Sequence, residues 1–168
     1  MQKLTCAIVA AGGLLVADTT AAVITGTTGG GGGNLDCSGA ALSQQVVWPP
    51  DHRMVPLTIV GLDPSLTVTI MSIQQDEPVN ALGSGNTAPD GIIANSSTPG
   101  TPSTAYVRAE RAGPGTGRIY FIMFNAMDAN RDTCANNITL EAYVPHDQGQ
   151  GYTPIDTGQK YDSTVVPP

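Results

Sequence analysis

Three oxygen-bearing side chains stand at alternate positions in the run Asp128-Ala129-Asn130-Arg131-Asp132. A loop of this kind collects a hard cation such as calcium, which takes its ligands from carboxylate and amide oxygens. The run begins like an EF-hand loop and then departs from it. Thr133 stands where the glycine is expected, and Thr139 where the closing glutamate is expected. Asp76, Glu77 and Glu110 are further acids that would complete a calcium site if the fold brought them to the same end of the domain. The same spacing also suits an Asx turn, in which Asp and Asn side chains bond their own backbone. Both readings stand at this level.

The other reactive residues form no catalytic pattern. His52 and His146 each adjoin an aspartate, Asp51 and Asp147. A zinc site or proton relay would need them together with a third ligand, and nothing in their spacing forces that. The chain has no GxSxG, HExxH or phosphate-binding glycine loop. The GPGTG segment at 113–117 separates two strand-like runs and reads as a hairpin turn. Enzymatic activity is therefore not expected. Trp48, followed by Pro49-Pro50, reads as an apolar anchor at the start of the domain. Asn95 and Asn137 each begin a glycosylation sequon, usable only in a host that glycosylates it.

The elements that position these residues follow from composition. Of 168 residues, 20 are glycine and 13 are proline, and only 12% are charged. That mixture disfavours long helices and suits short strands joined by many turns. A net charge of -7 repels phosphate, so a nucleic acid is excluded as a partner held mainly by phosphate contacts. Strand-like runs occur at Val46–Trp48, Met54–Val60, Leu66–Ile73, Ile92–Asn95, Ala105–Ala109, Arg118–Ala126 and Ile138–Val144. About seven short strands in this length fit an all-β, immunoglobulin-like antiparallel sandwich.

The flanks differ from this centre. Lys3 followed by an apolar run from Cys6 to Ala17 has the length of an export signal and is too short to span a bilayer. Residues 1–22 are thus expected to be a signal peptide or a retained apolar segment. Residues 23–34 form a Gly-rich linker, 35–147 the sandwich and 148–168 an extended tail. Export implies an oxidising compartment. Without the leader, Cys37 and Cys134 remain as an even pair, so a disulfide between them is expected.

The order VVWPPDHRMVPLTI (46–59), QQDEPVN (74–80), VRAER (107–111), GTGRIYFIMFNAMDANRDTC (115–134) and VPHDQ (144–148) resembles a widespread bacterial module. That module is a secreted immunoglobulin-like sandwich of the hyalin-repeat type. The resemblance implies a non-enzymatic extracellular or cell-surface role. It names no ligand, because such sandwiches host many functions.

One feature separates this chain from that module. Along Arg118–Ala126, Tyr120, Ile122, Phe124 and Ala126 form one face. Ile119, Phe121 and Met123 form a second apolar face, and Tyr143 adds to it from the last strand. A sandwich strand needs only one apolar face, so the second either remains an exposed patch or is covered by the chain's own tail, its N-terminal segment or another subunit. Two functional expectations follow. One is a self-associating surface, fibre or matrix subunit that forms a homo-oligomer or polymer through this face or through strand exchange. The donor would be the segment around Leu14–Ile24, or failing that Val165-Val166. The other is an adhesion module for surface polysaccharide.

Overall fold

The computed structural model describes residues 34–147 and 153–167. The expected leader, most of the glycine linker, the donor segment at 14–24 and residues 148–152 of the tail lie outside the described residues.

The described chain is all-β. Its strands are β1 (Asn34–Leu35), β2 (Ala41–Leu42), β3 (Met54–Val60), β4 (Thr67–Gln75), β5 (Gly91–Ala94), β6 (Thr104–Arg108), β7 (Gly117–Met127), β8 (Thr133–Cys134), β9 (Ile138–Pro145) and β10 (Tyr161–Asp162). A six-stranded sheet runs β1-β8-β7-β4-β10, with β9 also on β7, and a four-stranded sheet runs β2-β3-β6-β5. Between β2 and β3 the chain changes sheets. Ala41 and Leu42 pair antiparallel with Val60 and Ile59, and Val46 then bridges Tyr143 of β9 in parallel.

Alternation sets which side chains go inside. Val55, Leu57 and Ile59 of β3 meet Ala105 and Val107 of β6 from one sheet. Ile70 and Ile73 of β4, Tyr120, Ile122 and Phe124 of β7, and Ala142 and Val144 of β9 meet them from the other. The two sheets thus share one apolar core, as a β-sandwich does. Ile70 and Ile73 are three residues apart yet both point inward. A bulge between Ile70 and Ser72 supplies the extra residue and leaves Met71 exposed.

Cys37 and Cys134 form the expected disulfide, with a Cα–Cα distance of 5.7 Å and a sequence separation of 97. A bridge closing so long a loop stabilises by about 4–5 kcal/mol in the chain-entropy account. It packs with Ala126 as a small second cluster beneath β1 and β8.

The outer edge of β4 is occupied at two places. Asn95 closes the exposed edge of β4 with its side chain. It accepts from the Ile70 N–H at 2.8 Å and donates to the Ile70 carbonyl at 2.9 Å, imitating a paired strand. Residues 153–164 lie along the sandwich rather than away from it. Tyr161 and Asp162 pair antiparallel with Gln75 and Gln74. The backbone of Ser163 joins the two sheets: its N–H donates to Ile73 at 3.0 Å, and its carbonyl accepts from Asp90 at 2.9 Å and Gly91 at 2.7 Å.

Candidate functional site

Arg118 shares the inward parity of Tyr120 and Ile122, so β7 carries its guanidinium into the interior, where it is fully buried. An isolated charge there would cost several kcal/mol of lost hydration. Three loops at that end of the sandwich answer it with carboxylates. Asp90, just before β5, accepts from Arg118 Nη1 at 2.7 Å. Glu77, just after β4, accepts from Arg118 Nε at 3.1 Å and from the Ala112 N–H at 2.7 Å. Glu110, just after β6, stands 3.8 Å from Arg118 Nη1. Gln75 ties the set together by donating from Nε2 to Asp90 at 2.8 Å and to the Glu77 carbonyl at 2.9 Å. A side chain at position 115 would place its Cβ 2.4 Å from Glu77 Oε1 and push that carboxylate aside.

The outer rim of the cluster is part-buried. Arg108 lies 3.5 Å from Asp90 Oδ1 and donates to the Pro89 and His52 carbonyls. His52 donates from Nδ1 to Glu110 at 3.1 Å, and Thr87 donates to the same oxygen. Tyr120 donates to the Arg108 carbonyl at 2.8 Å and receives Arg118 Nη1 at 3.2 Å. Burial raises the Asp90 carboxyl above its ordinary range, outweighing the pull of Arg118. Burial likewise pushes the Tyr120 phenol up. The carboxylates thus face guanidinium, amide and imidazole groups of the same protein. Chemically, the arrangement clamps the six-stranded sheet (β4, β7) to the four-stranded one (β5, β6).

The proposed calcium ligands are not gathered at one place. Glu77 and Glu110 belong to the Arg118 cluster, and Glu110 is buried rather than a surface charge. Asp76 lies next to it, with Oδ1 accepting from the Ile119 N–H at 2.8 Å while Oδ2 is buried without a direct partner. Asp128, Asn130 and Asp132 follow the other end of β7, separated from Arg118 by the length of that strand, roughly 30 Å. There the Asx turn forms. Asp128 Oδ1 accepts from the Asn130 and Asp132 N–H groups at 2.8 Å each, and Oδ2 accepts from Asn130 Nδ2 at 3.3 Å. Among the described residues, no group of three or more His, Cys, Asp or Glu is placed to hold a metal ion.

The same turn recurs along the chain. Asp36, Asp63, Asp156 and Asp162 each accept from the N–H two residues on, at 2.8–3.0 Å. The histidines are not joined by a shared ligand. His52 belongs to Glu110, and His146 bonds the Gly113 carbonyl at 3.1 Å.

The second apolar face of β7 is covered in part by the chain itself. Ile119 and Phe121 are buried, and Met123 and Tyr143 are half-buried. Lys160 of the tail sits over the Phe121 ring, its Nζ 3.7 Å from the centroid. The Tyr143 backbone is held by Gln45 and Val47, and its hydroxyl donates to Glu141 at 2.8 Å.

No protein family, curated protein or solved structure matches this chain.

Proposed function

We propose that the chain is an exported, non-enzymatic structural protein, a subunit of a cell-surface, fibre or matrix assembly built on an immunoglobulin-like domain. The strand order supports the immunoglobulin-like part. Strands β2-β3-β6-β5 face β4-β7-β9, and the segment from β2 to Val46 passes from one sheet to the other, as the leading strand does in that sandwich type. The resemblance of its motifs to the secreted hyalin-repeat type points the same way. The disulfide supports an oxidising, extracellular compartment.

The observation that carries the structural reading is the Arg118 cluster. Its charged side chains are buried and turned on one another, so that they hold two sheets together instead of facing a substrate. Fractionation of producing cells, thiol labelling without reductant and sedimentation over a range of concentrations test the reading. The expected result is an exported, oxidised chain whose mass rises with concentration. Reactive Cys37 and Cys134 in native material, or a monomer at every concentration joined to retention on insoluble glycans, would favour a different role. The glycan result would favour polysaccharide adhesion.

A further inference from the structure

The tail does not merely rest on the sandwich, because the sandwich has a seat built for it. Ile155 donates its N–H to Thr116 Oγ1 at 3.1 Å, and Thr157 donates its hydroxyl to the Asp76 carbonyl at 3.0 Å. Lys160 covers Phe121, and the backbone of Ser163 is bonded to both sheets. Gly91 leaves the space for Ser163: a Cβ there would lie 2.9 Å from the Ser163 Cβ. Ser163 itself is fully buried. This is recognition of an extended peptide by strand addition, in which backbone bonds give affinity and small notches give specificity.

We infer that this seat accepts residues 153–164 of a second copy of the chain as well as of its own. The inference rests on the structural reading above and names its mode of association. The seat reads a continuous segment, largely through backbone groups, and those are the same whichever copy supplies them. The strand ladder itself is only two residue pairs long, and the other anchors are the Ser163 backbone bonds and the contacts of Ile155, Thr157 and Lys160, all of which a second copy can supply equally. Between Asp147 and Thr153 the connector is Gln-Gly-Gln-Gly-Tyr. Fully extended, such a connector reaches no further than roughly 20 Å, so its length sets the balance between the chain's own seat and a neighbour's. Exchange of an identical terminal element between copies adds no new contact type and converts an internal closure into an intermolecular one.

The test uses full chains. One variant, Gly91→Val, keeps a normal tail and blocks the seat, its Cβ pressing on Ile73 as well as on Ser163. Another, Ser163→Pro, keeps a normal seat and loses the N–H that the tail donates to Ile73. Mixed in equal amounts with one chain isotopically heavy, they should form hybrid dimers at least tenfold more abundant by native mass spectrometry than either homodimer. Near-UV circular dichroism confirms that each variant folds. Should one fail to fold, deletion of Gly149 and Gly151 leaves seat and tail intact. That shortened chain should raise the dimer fraction at least tenfold over wild type at equal concentration. If the hybrid, or the shortened-chain dimer, does not form while wild type still assembles, strand exchange is wrong and the structural reading survives. If wild type and the shortened chain are both monomers at every concentration, both fall.

Discussion

The carboxylates at the two ends of β7 carry the same chemical group into opposite surroundings. Near Arg118, Glu77, Asp90 and Glu110 are buried and depend on guanidinium groups for neutralisation. Beyond Met127, Asp128 spends its oxygens on the N–H groups of its own loop, as Asp36 and Asp63 do in theirs. The first set links elements distant in sequence and the second shapes the chain locally. Eight of the acidic residues thus serve either a clamp or a turn. The first set takes its donors from guanidinium groups and the second from N–H groups of its own loop.

The largest effect should come from removing the cation of the clamp. Arg118→Met leaves three buried carboxylates facing one another with Arg108 as the remaining guanidinium. Breaking a buried pair in this way costs about 3–5 kcal/mol. Urea unfolding at neutral pH measures it. Adding Asp90→Asn and Glu110→Gln to the same chain should recover much of the loss. If the single variant unfolds within ~0.5 kcal/mol of wild type, the cluster is not a clamp.

A middle-sized effect belongs to the turn. Asp128→Ala removes the acceptor for two backbone N–H groups and should cost about 1 kcal/mol. Asp128→Asn keeps an acceptor oxygen and should cost less than half as much. Calcium separates a turn from a cation site. A turn predicts the same melting midpoint with and without millimolar calcium. A cation site predicts a rise with calcium in wild type that Asp128→Asn abolishes.

The sequence expressed these two regions unequally. The run Met54–Val60 is β3 residue for residue, because it is a β-forming apolar stretch bounded by turn residues on either side. The paired cysteines were legible from the expected export signal and the even count left without it. Strands β1, β2, β8 and β10 were not, since two residues carry no periodicity to detect. The clamp left one signal. Arg118 stands in phase with Tyr120, Ile122 and Phe124, and a charge on a core face demands buried partners. Which acids would answer it could not be read, because Glu77, Asp90 and Glu110 come from three separate loops. The fate of Phe121 was open for the same reason: Lys160 lies far along the chain and reaches it only through the pairing of β10 with β4.

The smallest effect is a change of slope with pH. Burial raises the Asp76 carboxyl above its ordinary range, whereas hydrogen bonds from Ser38 and Ser65 lower those of Asp36 and Asp63. The signs are opposite. The lowered aspartates stabilise the fold above the unfolded value of 3.8 and lose that contribution as pH falls through their folded values. Asp76 does the reverse. Its charged form is penalised in the folded state, so its contribution becomes less favourable as pH rises from 3.8 through its raised folded value, and stays so above it. Asp76→Asn removes the titration while retaining an oxygen to accept the Ile119 N–H. Unfolding free energies measured at intervals from pH 3 to pH 7 should therefore show the variant gaining on wild type as pH rises. Asp63→Asn, which removes a lowered carboxyl instead, should lose ground over its own acidic range. Parallel curves for wild type and Asp76→Asn would mean that this carboxylate is solvated after all.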